Sequence, residues 1–169
     1  MPDPVAVIDS SSILQVRRAV VRADQAGVFQ KLTEIVQRDQ LAFQKEVLAE
    51  LKRWANPNPD TPDLPLSWAL SNSSRATRND FPFETLREVI GRVSDIFDPD
   101  KSGVDEADPY VLALAIYLQS QGLSVTVLTE ERKDRPNKVS MNTACGELGL
   151  VCLPMERFLR INGIWRRSS

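Results

Sequence analysis

Residues 5–9 read Val-Ala-Val-Ile-Asp, and residues 125–131 read Val-Thr-Val-Leu-Thr-Glu-Glu. Each opens with a short, largely β-branched apolar run, too brief for an independent helix, which predicts a buried strand. Each run also ends in acid: Asp9 after the first, Glu130 and Glu131 after the second. In open α/β sheets ligands bind beyond the carboxyl ends of the strands, near the point where strand order reverses. Two such strands would therefore bring their acids to one rim. Acids also follow strands as ordinary solvated loop residues, so either alone says little. The pair, with Ser10 and Ser11 directly after Asp9, favours a site.

Working outward, Val151-Cys152-Leu153 reads as a weaker third strand and Met155 to Ile161 as a short final helix. A helical period runs through Val28, Phe29, Leu32, Ile35 and Val36. Leu41-Ala42-Phe43 leads into KEVLAELKRW, where Val47, Leu48, Leu51 and Trp54 share one face. Phe83 to Phe97 predicts one amphipathic helix, closed by the loop DPDKSG, and DPYVLALAIYL predicts a helix packed on both sides. The Pro-rich stretch NPNPDTPDLP, residues 56–65, breaks regular structure, and the chain to Pro82 reads as irregular or lightly helical. Strands alternating with helices predict an α/β fold: a three-layer α/β/α arrangement, a mostly parallel central sheet covered on both faces. At 169 residues this is one domain, 1–169, with 56–82 as an irregular segment inside it.

Composition narrows the chemistry. The chain has no histidine, which excludes Ser-His-Asp and Cys-His catalysis, histidine zinc sites and imidazole bases. Its two cysteines, Cys145 and Cys152, lack metal-ligand spacing and form no disulfide framework. No secretory apolar core is present, and no apolar stretch approaches the roughly 20 residues that span a bilayer. A reduced, cytoplasmic protein without membrane contact is expected. The net charge of −2 creates no general field for nucleic acid, so such a partner would need a local basic patch.

Two further acids join the strand-end pair as candidates. Asp108 precedes Pro109 and the apolar helix. An acid at the N-cap with proline after it explains the start of that helix, yet a helix N-terminus also stabilises a negative site. Glu50, at about 100° per residue, lies roughly 90° from the centre of its helix's apolar face, at the border, while Glu46 lies further towards water. Acids gathered on one rim repel, and a divalent cation relieves that repulsion. All-oxygen ligation favours Mg²⁺ or Mn²⁺, which acidify water and neutralise charge on a phosphate, so phosphodiester hydrolysis suits a site without histidine.

The sequence resembles the PIN-domain family in four pieces taken in order: IDSSSIL around Asp9, EVLAEL around Glu50, ADPYVLALA around Asp108 and VTVLTEE around Glu131. The tail NTACGELGLVCLPMERFL is similar to PIN C-terminal regions, and the likeness is weakest from Asn56 to Pro82. The pieces look closest to an uncharacterised branch related to VapC-like toxins of toxin–antitoxin pairs. The resemblance implies a central first strand, metal-dependent RNA cleavage, and Asp9, Glu50 and Asp108 as metal ligands. Glu131 stands where many relatives carry Asp in a T-x-D motif; its extra methylene is a departure that ligation through water would accommodate. Ser11 would support Asp9 and Thr129 the fourth acid, with Asp105 and Glu130 in reserve. The implied partners are RNA, an antitoxin protein and a second copy of the chain.

Arg132, Lys133, Arg135 and Lys138 follow the last acidic motif. They read either as an RNA-phosphate patch or as a loop balancing Glu130, Glu131 and Asp134. Arg17, Arg18 and Arg22 lend themselves to the same cleft or to an acidic antitoxin segment, while Trp54, Trp68 and Trp165 read as core or interface. An adhesion-type metal site would need serine at Ile13; a haloacid-dehalogenase phosphatase would need aspartate at Ser11; a receiver domain would need a lysine in place of the strand-end glutamates. A nuclease acting on structured DNA fits the chain's length less well than one acting on RNA. The remaining alternative is a non-catalytic PIN-like binding module, which the retention of all four acids argues against.

Overall fold

A computed structural model describes residues 2–55, 60, 63–78, 80–98 and 106–168. The strands are β1 (Pro4–Ile8), β2 (Leu41–Ala42), β3 (Ser124–Leu128) and β4 (Val151–Leu153). The helices are α1 (Ser10–Ala19), α2 (Arg22–Gln37), α3 (Lys45–Arg53), α4 (Leu64–Ala76), α5 (Phe83–Arg92), α6 (Asp108–Ser120), α7 (Met141–Leu148) and α8 (Met155–Ile161). The four strands form one parallel sheet in the order β2-β1-β3-β4. Helices flank it: α1, α2, α3, α4 and α8 pack among themselves, as do α5, α6 and α7. The expected three-layer α/β fold is what forms, and all the described sheet is parallel.

β1 is central because Val5 to Ile8 are apolar on both faces and can be buried from both sides. Its register with β3 runs from Pro4↔Ser124 to Ile8↔Leu128. The chain leaves β1 for β2 on one side and returns for β3 on the other, so the strand order reverses at β1. Two backbone bonds extend the ladder past the strands: Asp9 N–H to the Leu128 carbonyl and Thr129 N–H to the Leu153 carbonyl, both 3.1 Å. Asp9 and Thr129 thus stand at one level, at the carboxyl edge.

The structure departs from sequence expectation in three elements. Residues 64–76, expected irregular or at most lightly helical, form the 13-residue helix α4: Asp63 caps it by accepting from Leu66 N–H at 3.1 Å, with proline in the first turn. Trp68 on α4 fills the core beside Phe29 and Phe43 and donates its indole N–H to Thr33 Oγ1 at 3.1 Å. The helix expected over Phe83–Phe97 stops at Arg92, because Val93 takes φ −133° and ψ 65°; a 3₁₀ turn over Ser94–Ile96 follows. Asp108 is the first residue of α6 rather than its cap, Ala107 holding that position.

Candidate functional site

The Asp9 side chain does two jobs at once. Its Oδ1 accepts from Ser12 N–H at 3.0 Å, capping α1, and from the Ser11 hydroxyl at 2.7 Å. The serines of the first motif therefore start a helix and fix the carboxylate together. The Thr129 hydroxyl also hydrogen-bonds Asp9 and accepts from Glu131 N–H at 3.2 Å.

Asp9, Glu50, Asp108 and Glu131 line one small cavity of about 70 Å³, with Ser10, Ser11, Trp54, Glu106, Ala107, Arg135 and Lys138. All four acids named from the sequence thus meet, from four different elements or their ends. Glu50, on the border of α3's apolar face, is 6% exposed, and Glu46 is half-buried rather than solvated. A larger hollow of about 450 Å³ lies against the N-terminal half of β1, at the end away from the strand-end acids, lined by Lys31, Glu34 and Arg38 among others. It has more room but no converging carboxylates.

Burial and the neighbouring Asp108 charge push the Asp9 carboxyl up to about 8, against the lowering effect of its hydrogen bonds. Glu131 is also raised, first by burial and then by Asp108, with Lys138 opposing. Among the described residues, no three acidic or cysteine side chains stand together in an arrangement ready to hold a metal. A lysine stands among them instead.

That lysine is Lys138, expected among the phosphate-binding cations. It is 4% exposed, and its Nζ donates to Asp108 Oδ2 at 2.9 Å and to Glu131 Oε1 at 2.7 Å. Burial works against its ammonium, but Asp108 and Glu131 outweigh that and hold its pKa above the ordinary lysine value. Arg135 lines the cavity while pairing with buried Asp98 at 2.8 Å. Arg132 and Lys133 are exposed and do not line the cavity. Arg17 pairs with Asp63 at 3.8 Å, and neither it, Arg18 nor Arg22 reaches the cavity wall.

Of the reserve acids, Asp105 lies outside the described residues. Glu130 is a structural clasp: its Oε2 accepts from the Ser12 hydroxyl at 3.0 Å and from Met155 N–H at 2.9 Å, tying α1 to α8. Sequence reasoning missed two features. Trp54, placed on the buried face of α3, is 46% exposed and lines the cavity. A separate groove of about 480 Å³ is lined by Arg157, Arg160, Arg166 and Arg167. The i, i+3 spacing of the first two on α8 was its available signal.

A family model described as Domain of unknown function (DUF4411) matches residues 7–165. No curated protein matches the chain.

Proposed function

The chain belongs to the DUF4411 family, a domain of unknown function, and from its site we propose that it is a Mg²⁺- or Mn²⁺-dependent ribonuclease of PIN type. The observation that carries this reading is the meeting of Asp9, Glu50, Asp108 and Glu131 in one cavity at the carboxyl edge of the sheet, where strand order reverses. The donor set fits a hard cation: it is all oxygen, and burial together with the neighbouring Asp108 charge holds a proton on Asp9 to about pH 8, a penalty that a bound cation would relieve.

Asp9, Glu50 and Asp108 would hold the ion, and Glu131 would complete the rim. The ion supplies acidified water and neutralises charge developing on the phosphate. Ser11 and Thr129 keep Asp9 in place. The Arg157–Arg167 groove offers guanidinium groups for the RNA backbone. Water oxygen adds to phosphorus, the P–O3′ bond breaks and the 3′ oxygen takes a proton, leaving a 5′-phosphate and a 3′-hydroxyl. As the toxin of a toxin–antitoxin pair, the protein would be silenced by a partner covering this rim.

Lys138 favours a second reading, a non-catalytic PIN-like module, because its ammonium already compensates two of the four acids. Purified protein incubated with single-stranded and structured RNAs in Mn²⁺ decides between them. Cleavage abolished by EDTA and by Asp9→Asn supports the ribonuclease. A folded protein that neither cleaves nor binds Mn²⁺ is the module.

A further inference from the structure

A buried ammonium carries a large desolvation cost and persists only where its partners are well placed. The chain invests a whole turn in placing this one. Arg135 and Lys138 exchange backbone bonds, Arg135 N–H to the Lys138 carbonyl at 2.8 Å and Lys138 N–H to the Arg135 carbonyl at 3.2 Å. The turn is pinned on both sides. Val139 N–H donates to the Asp95 carbonyl at 2.9 Å, and Arg135 donates to Asp98 at 2.8 Å. The Asp134 carboxylate accepts from Ser140 N–H and the Thr143 hydroxyl, each at 2.8 Å. Lys138 is therefore set by six hydrogen bonds of the turn and its anchors besides its own two ion pairs.

Its position is specific as well as rigid. Of the five acids lining the cavity, Nζ contacts one oxygen from each of two, Asp108 and Glu131, while Asp9, Glu50 and Glu106 line it as well. Two-metal hydrolases place two cations about 3.5–4 Å apart between shared carboxylates. Here a covalently tethered cation already lies between two of the carboxylates.

Building on the ribonuclease reading above, we infer that Lys138 stands in for a second cation and makes this a one-metal site. The ammonium neutralises the Asp108–Glu131 side of the cavity, and one divalent ion neutralises the Asp9–Glu50 side. A fixed charge of +1 in place of a second +2 ion also leaves the apo pocket less repulsive, so the site keeps its shape before the metal arrives.

The test is Mn²⁺ stoichiometry, read by calorimetric titration and by metal content after gel filtration, on the full chain. Wild type should bind one Mn²⁺, Lys138→Gln should bind two, and Lys138→Arg should return to one. Lys138→Met, with similar length and no charge, replaces the Gln variant should that one not fold. Electron paramagnetic resonance of Mn²⁺-saturated protein should show isolated ions in wild type and coupled pairs in the neutral variant. Two ions in wild type, or one ion in both wild type and the folded neutral variant, overturn the inference while leaving the metal-dependent reading in place. No Mn²⁺ bound by either protein overturns both.

Discussion

The Ser11 hydroxyl donates to Asp9 Oδ1 at 2.7 Å. Ser11 Oγ in turn accepts from Glu130 N–H at 3.0 Å, so Ser11 bridges the ends of β1 and β3 beside the cavity. Ligand orientation by such an outer hydrogen bond typically sets ten- to hundredfold in metal affinity. Ser11→Ala should therefore weaken Mn²⁺ binding by about ten- to hundredfold while costing only about 1–2 kcal/mol of stability. Titration alongside thermal melting checks this; unchanged affinity would remove Ser11 from the site.

Asp9 itself should be indispensable. Asp9→Asn keeps an oxygen that can accept from Ser12 N–H, so α1 remains capped, but it removes the negative charge. RNA cleavage and Mn²⁺ affinity should each fall by more than about a hundredfold, beyond the effect of an outer-shell change. Circular dichroism should show an intact fold, and retained cleavage by the purified variant would sink the assignment.

The raised carboxyls give a signed pH dependence. Asp9 rises from 3.8 to about 8 on folding, and Glu131 rises as well. The folded state thus binds more protons than the unfolded state between those values, and stability falls with rising pH. The contribution is whole below about pH 4 and lost as pH climbs through about 8. The metal-free melting midpoint of wild type, measured relative to Asp9→Asn, should decline from pH 5 to pH 8. Mn²⁺ affinity should climb over the same interval by up to about tenfold per pH unit, since one proton must leave Asp9. A wild-type profile parallel to that of Asp9→Asn would show that Asp9 is already ionised at pH 5.

Glu130 should separate structure from chemistry. Its carboxylate accepts from Ser12 and Met155, and it does not line the cavity. Glu130→Ala should lower stability by about 2–3 kcal/mol through the two unmade bonds, yet leave Mn²⁺ stoichiometry unchanged in the folded protein. Loss of metal without loss of stability would place Glu130 among the ligands.

The arginine groove should govern RNA affinity alone. Arg157→Ala with Arg160→Ala should weaken RNA binding and flatten the salt dependence of log K by about 1.4, at about 0.7 for each single-strand phosphate contact. Mn²⁺ binding should stay as in wild type. An unaltered salt slope would direct attention to Arg132 and Lys133 instead.

The parts of the fold legible in the sequence were those in which one stretch carries its own signal. β1 and β3 are short β-branched runs with their acids attached, and Glu50 followed from helical geometry on a nine-residue helix. Helix α4 was obscured because the prolines before it read as breakers, whereas Pro65 is tolerated in a first turn capped by Asp63. The end of α5 at Arg92 depends on the backbone of Val93, which the apolar period through Phe97 does not register. Lys138 was misjudged for a different reason. A lysine in a run of charges reads as solvated, and only the pinned turn at Arg135–Lys138 carries it into the cavity. Trp54 follows the last residue of α3, at its C-cap, so the helical wheel that put it on the buried face does not govern its side chain.

The sheet order has a consequence for how the protein comes off the ribosome. β1 is the first strand made, yet the partner that matches it along its whole length, β3, begins at Ser124. The five acids of the cavity are spread from Asp9 to Glu131, and the Glu130 clasp waits for Met155. A nascent chain can form α2 and α3 early from local contacts, but the long-range pairing that assembles the acids comes last. The protein is thus born without its pocket, and a chain cut before Ser124 lacks the strand that completes it.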